Sequence, residues 1–290
     1  FVRSIALGKK VGADVLIATD PDADRLGCAV RQPDGEYQLL TGNQIASIML
    51  AYILEAHKQA GTLPKNAAAV KSIVSTNFAA KIAENYGVEM INVLTGFKWI
   101  ADQIHQYETG KADHTFMFGF EESYGYLIKP FVRDKDAIQS LTLLAEVAAY
   151  YRSRNMTLYD GLQELFKKYG YFREKTIANT YAGVDGPAKI KALMKKFREE
   201  APTHFAGHQV VVTEDFANGT KTTADGEVSE LGIPESNVLR YILDDDTWID
   251  IRTSGTEQKH KFNIDTSADT LKKKKKKLAD FEKALQEFAE

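Results

Sequence analysis

The sequence predicts an α/β protein: a mixed, mostly parallel sheet domain covered by helices, followed by a smaller α+β C-terminal domain. Three observations predict it. Short β-branched apolar runs alternate with helix-length amphipathic stretches as far as about Tyr169. Beyond that point strands follow one another with few helices between them. The 290 residues, 44% of them apolar, suffice for two or three separate cores.

Val15–Thr19 is β-branched and apolar and reads as a buried strand ending in the polar turn Asp20-Pro21-Asp22-Ala23-Asp24-Arg25. Leu26–Val30 and Tyr37–Leu40 read as strands joined by Pro33-Asp34-Gly35. Asn43 is the expected N-cap of a helix over Gln44–Gln59. Strands over Ala69–Ser75, Glu89–Leu94 and Thr115–Phe120 alternate with helices over Phe78–Tyr86, Lys98–Tyr107 and Asp136–Arg154. Ligands of such sheets bind at the C-terminal ends of the strands.

A boundary is expected near residue 170. After it, Tyr171–Thr180, Gln209–Asp215, Val238–Leu243 and Thr247–Arg252 read as strands, and Ile190–Glu199 and Leu271–Glu290 as helices. The run Lys272–Lys277 reads as a solvated first turn, while Leu271, Leu278, Phe281, Leu285 and Phe288 form an apolar stripe.

A net charge of -3 offers no basic field for nucleic acid, and no apolar run is long enough for a bilayer. The single Cys28 excludes an internal disulfide framework and fits a cytoplasmic setting. The first residues read as a helix end, a glycine turn and a strand with no initiator Met, as though the chain starts inside a βαβ unit of a longer polypeptide.

Four loops carry candidate chemistry. Asp20, Asp22 and Asp24 alternate after a strand and can converge on one hard cation such as Mg²⁺; a capped, solvated turn is the alternative. The loop is not an EF-hand, because Arg25 and Arg31 stand where Gly and Glu are required. The continuation Ala23-Asp24-Arg25 also fits haloacid-dehalogenase-type phosphatases poorly. In Gly119-Phe120-Glu121-Glu122-Ser123-Tyr124-Gly125, Glu121 and Ser123 are two apart and would share one side of an extended loop, suited to sugar hydroxyls; a surface turn is equally open. Arg252-Thr253-Ser254-Gly255-Thr256, backed by Lys259 and Lys261, reads as a phosphate cradle; a polar turn closing a strand is the alternative. Ser254 has no activating partner at an obvious spacing, which favours binding over nucleophilic attack. Lys98 in Thr95-Gly96-Phe97-Lys98-Trp99 starts a helix and would meet an anion or simply face solvent.

The order and spacing of these four loops resemble the α-D-phosphohexomutase family, especially its phosphoglucomutase branch, over essentially the whole chain. The resemblance implies Asp20, Asp22 and Asp24 as Mg²⁺ ligands and Arg25 beside a phosphoserine. It implies Lys98, Glu121 and Ser123 on the phosphosugar, and Arg252, Ser254, Gly255 and Thr256 on phosphate. It further implies residues 1–42 as the end of the second of four domains, 43–169 as the third and 170–290 as the fourth. The phosphoserine of this family lies in a Ser-His-Asn segment of the first domain, and no Ser-His-Asn occurs in this sequence. The family usually has Pro and an aliphatic residue where Gln258 and His260 stand, and His260 is read as a strand-surface residue without chemistry.

The implied activity is interconversion of hexose 1-phosphate and hexose 6-phosphate, with glucose 1,6-bisphosphate as intermediate and activator. The chain would need the upstream domains of its own polypeptide and be inactive without them. A phosphopentomutase of the same family, a metal-dependent phosphatase using Asp20 as nucleophile, and a non-catalytic sugar-phosphate binding module are the competing readings.

Overall fold

The computed structural model describes residues 1–181, 185–253 and 259–289. Helix α1 (Val2–Val11) stops at Gly12, whose φ of 71° is the left-handed conformation a helix C-terminus favours. Strands β1 (Val15–Thr19), β2 (Leu26–Arg31) and β3 (Tyr37–Leu40) then form an antiparallel meander in that order. The helix, glycine turn and strand expected at the start are all present. The Asp20–Arg25 turn is too short for a parallel crossover, so β2 must return antiparallel. β1 is not a buried strand, however, since it lies at the sheet edge and is half-exposed along its length.

Helix α2 (Gly42–Gln59) is capped by Thr41, not Asn43. The Gln44 amide donates to Thr41 Oγ1 and the Thr41 amide to Gln44 Oε1, a reciprocal capping box. Asn43 sits inside the first turn, where its Oδ1 accepts the Thr76 amide at 3.2 Å. Next come β4 (Ala67–Ser72), α3 (Asn77–Asn85), β5 (Glu89–Val93), α4 (Phe97–Glu108), β6 (Thr115–Phe120), β7 (Tyr126–Leu127), α5 (Ala137–Ser153) and α6 (Leu158–Tyr169). The sheet order is β5-β4-β6-β7, with β4 parallel to β5 and β6, and β7 antiparallel. This is the mixed, mostly parallel sheet expected. Helix α6 was not anticipated; Thr157 and Asp160 cap its start reciprocally, and Phe166 stacks on Phe78 at 4.7 Å.

The chain divides into two compact units, Phe1–Tyr169 and Gly170–Glu290. The second contains β8 (Tyr171–Thr180), α7 (Gly186–Glu200), β9 (His204–Phe205), β10 (His208–Asp215), β11 (Thr220–Thr223), β12 (Val228–Glu230), β13 (Val238–Leu243), β14 (Trp248–Thr253), β15 (Lys259–Ala268) and α8 (Leu271–Ala289). Its antiparallel sheet runs β12-β11-β10-β13-β14-β15-β8, with β9 on β10. Leu239, Tyr241, Ile249, Ile251, Phe262 and Ile264 pack with Phe197 of α7 and Leu278, Phe281 and Leu285 of α8. Strand alternation puts Arg240 and Asp250 on the opposite sheet face.

Two expectations in this unit are corrected. His260 is buried in β15, not on the strand surface; Asn179 lies 3.2 Å from its Nε2, and burial lowers its pKa. The lysine run is not wholly solvated either. Lys274 is buried and donates to the Phe172 carbonyl, and Lys277 reaches Asp245 and the Ser267 carbonyl. The helical period brings every third or fourth lysine inward with the apolar stripe.

Burial pushes the Lys274 ammonium down to about 8 from an ordinary 10.5. Between these two values the unfolded chain binds more protons than the folded one, so stability rises with pH through that window. Below it, the cost of burying the charge is constant. K274M is expected to flatten that rise, by up to about 1.4 kcal/mol per pH unit at its steepest. Thermal unfolding across the window measures this, and an unchanged slope in K274M would remove Lys274 as its cause.

Candidate functional site

In the first unit, the loop at the C-terminal end of β6 meets the turn after β1 and is tied to the ends of β4 and β5. Asp20, Asp22 and Asp24 each offer a carboxylate oxygen, all within 4.8 Å of one another. Asp20 Oδ1 accepts the Asp24 and Arg25 amides, each at 3.1 Å, which folds the turn so that the three carboxylates converge. The Arg25 amide is also the main reason the Asp20 carboxyl lies below its ordinary pKa. Asp24 Oδ1 is buried with no hydrogen-bond partner among the described residues. Three clustered carboxylates with a buried, orphaned acceptor fit a hard divalent cation.

The turn is bonded to the loop after β6 through the main chain. The Leu26 amide donates to the Tyr124 carbonyl at 3.0 Å, and Arg25 forms an antiparallel bridge with Gly125. The Ala137 amide at the start of α5 donates to the Ala23 carbonyl. Residues 121–125 form the tight turn of the β6–β7 hairpin, not an extended segment, with Tyr124 at φ 70°. Consequently Glu121 and Ser123 do not share an environment: Glu121 is 5% exposed, whereas Ser123 is exposed.

Glu121 Oε1 accepts the Gly96 amide at 2.7 Å, which ties the loop after β5 to the one after β6. Burial pushes the Glu121 carboxyl above its ordinary range, with the Gly96 amide opposing it. Glu122 accepts the Ser72 hydroxyl at 3.1 Å, and Ser72 in turn pairs with Ser75 at 2.7 Å. Lys98, at the start of α4, is exposed, with Nζ 4.9 Å from the centre of the Trp99 ring. Arg25 is exposed as well.

Lys135 was not singled out by the sequence. Its Nζ lies 2.8 Å from Asp24 Oδ2 and 3.1 Å from Asp134 Oδ1. The signal available was weak, a charged Arg133-Asp134-Lys135-Asp136 run before a helix, and only Asp136 had an evident task there as the N-cap of α5. In the second unit, Arg252 lies near the end of β14, opposite Val238 and Lys261 on the neighbouring strands. Ser254, Gly255 and Thr256 lie outside the described residues.

Residues 41–169 match the family described as phosphoglucomutase/phosphomannomutase, alpha/beta/alpha domain III. A phosphoglucomutase of Staphylococcus epidermidis is 41% identical over 270 residues, 93% of this chain and 48% of that protein. The chain belongs to the α-D-phosphohexomutase superfamily. A Staphylococcus aureus phosphoglucomutase is 38% identical over 91% of the chain and 47% of its own length. This phosphohexomutase chain thus spans about half the length of the curated relatives it matches. Its fold is shared by a Paramecium phosphoglucomutase, pp63/parafusin (TM-score 0.68, 19% identity, 99% of this chain and 48% of that one). It is also shared by an Aspergillus fumigatus N-acetylphosphoglucosamine mutase solved with GlcNAc-6P and magnesium (TM-score 0.52, 13% identity, 99% and 55%).

Proposed function

We propose that the protein to which this chain belongs is a phosphoglucomutase-type phosphotransferase, moving phosphate between the 1- and 6-positions of a hexose through a phosphoserine and a bisphosphate. The observation that carries this reading is the main-chain union of the aspartate turn and the Glu121–Gly125 turn. It brings the three clustered carboxylates and the Glu121–Gly125 turn side by side, which supports reading them as a cation site and a hydroxyl-reading loop.

In this reading residues 1–42 end the second domain, 43–169 are the third and 170–290 the fourth. Asp20, Asp22 and Asp24 hold Mg²⁺, and when bound the cation neutralises charge on the transferring phosphoryl group. Arg25 faces the phosphoserine supplied from upstream. Glu121 and Ser123 read sugar hydroxyls, Glu121 from the buried side and Ser123 from the exposed side. Lys98 and the segment from Arg252 to Thr256 hold phosphate, and such binding would supply the positioning part of the rate. Among the described residues no helix is long and apolar enough to cross a membrane; this reading takes the enzyme to be cytoplasmic.

Calorimetric titration with glucose 1,6-bisphosphate tests this. Glu121→Gln and Arg252→Ala are each expected to weaken binding roughly 10- to 100-fold, the worth of a charge-assisted hydrogen bond. Binding indifferent to both substitutions would sink the site assignment. The 290-residue chain by itself is expected to show no mutase turnover, since it holds no Ser-His-Asn segment; turnover well above a mock preparation would refute that.

A further inference from the structure

The aspartate turn already holds a cation of its own. Lys135 Nζ sits 2.8 Å from Asp24 Oδ2, and its side chain is only 12% exposed. Its stem runs along Gly125, where an added Cβ would lie 2.7 Å from Lys135 Cδ. One side chain therefore touches both halves of the site: its charge is on the aspartate turn and its methylenes are on the Glu121–Gly125 turn. Gly125 also bridges Arg25, so a shift of the lysine stem is felt in the same backbone pair that joins the two turns.

We propose, resting on the reading of Asp20, Asp22 and Asp24 as a divalent-cation site, that Lys135 is a positioning residue serving as that site's resident counter-cation. It holds Asp24 when no divalent cation is bound and withdraws when one is, and its stem carries the change to Gly125. Two physical points give the direction. Clustered carboxylates repel, and an ammonium at 2.8 Å relieves Asp24. A divalent cation on the same carboxylate would then lie within a few ångströms of that ammonium, a repulsion that in a half-buried turn outweighs what Lys135 contributes by orienting Asp24. The lysine thus lowers cation affinity and stabilises the cation-free turn. By linkage, occupancy of the cation site changes the sugar turn, and the reverse holds equally.

The test is Mg²⁺ titration calorimetry on the wild-type chain, K135M, K135Q and K135R at fixed ionic strength, with folding checked by circular dichroism. K135M and K135Q are expected to bind Mg²⁺ roughly tenfold more tightly than wild type, and K135R to resemble wild type. The Gly125 amide resonance is expected to move further with Mg²⁺ in wild type and K135R than in K135M, where only the main-chain bridge to Arg25 connects it to the aspartate turn. Equal or weaker Mg²⁺ binding by both K135M and K135Q overturns the proposal while leaving the cation site intact. Asp22→Asn separates the two ideas, because Asp22 is exposed and its loss spares the lysine contact. D22N is expected to abolish binding in every background, and D22N binding as wild type, or no binding by any variant, overturns the cation-site reading itself.

Discussion

Arg240→Met is expected to destabilise the second unit by about 3–5 kcal/mol, the cost of stripping the partner from a buried charge. Asp250 is fully buried, and Arg240 is 6% exposed. The guanidinium grips the carboxylate with both ends, Nε to Oδ1 at 2.6 Å and one terminal nitrogen to Oδ2 at 2.9 Å. Trp248 lies 4.8 Å from the guanidinium carbon, and Glu214 is opposite Arg240 on β10. Burial already pushes the Glu214 carboxyl upward and Arg240 opposes that shift, so the substitution leaves two carboxylates without their nearest compensation. Met keeps much of the volume, which separates lost charge from lost packing. The double variant Arg240→Met/Asp250→Leu is expected to recover most of the loss, because replacing both members by apolar groups removes the buried charge as well. Chemical denaturation of the three proteins measures this, and an R240M loss below about 1 kcal/mol would show that water reaches Asp250.

This pair marks where the sequence was legible and where it was not. β13 and β14 were readable because β-branched and aromatic residues cluster there, yet nothing in the spacing of Arg240 and Asp250 says that they face each other. That depends on the register of two antiparallel strands, which sequence alone specifies weakly. The same limit hid β15, whose Lys259-His260-Lys261 start reads as polar surface, although the strand is paired on both sides and His260 is buried between β14 and β8.

The first unit was more legible, because local chemistry decides more of it. The alternating aspartates, the Gly-rich turn and the β/α alternation are all short-range signals. Its misses were again tertiary. Thr41 took the cap from Asn43 because Gln44 could reciprocate, and Asn43 was drawn instead to the Thr76 amide on another loop. Lys135 stayed invisible because its partner is distant in sequence. The expected alignment of Glu121 and Ser123 assumed an extended loop, and the antiparallel return of β7 replaced it with a turn.

Gly42→Ala is the second large expected effect, and propensity alone predicts the wrong sign for it. In the first turn of a helix, Ala is favoured over Gly by roughly 0.5–1 kcal/mol. At this position, however, the new Cβ would lie 2.2 Å from the Glu122 carbonyl oxygen, 2.9 Å from the Tyr124 nitrogen and 3.0 Å from the Glu122 carbonyl carbon. These are backbone atoms, so no side-chain rotation relieves the clash. The turn cannot easily retreat either. Tyr124 already holds a φ of 70°, its carbonyl accepts the Leu26 amide, and Glu122 is anchored by Ser72. Overpacking of this kind costs about 1–3 kcal/mol, more than the helix gains. The displacement falls on both halves of the proposed site at once, because the Leu26–Tyr124 bond joins them. G42A is therefore expected to weaken both glucose 1,6-bisphosphate and Mg²⁺ binding by roughly tenfold or more, with secondary structure unchanged. Titration of the two ligands against G42A and wild type decides it. Loss of sugar-phosphate binding alone would mean that the turns move independently, and wild-type affinity for both would show that α2 does not support the turn from below.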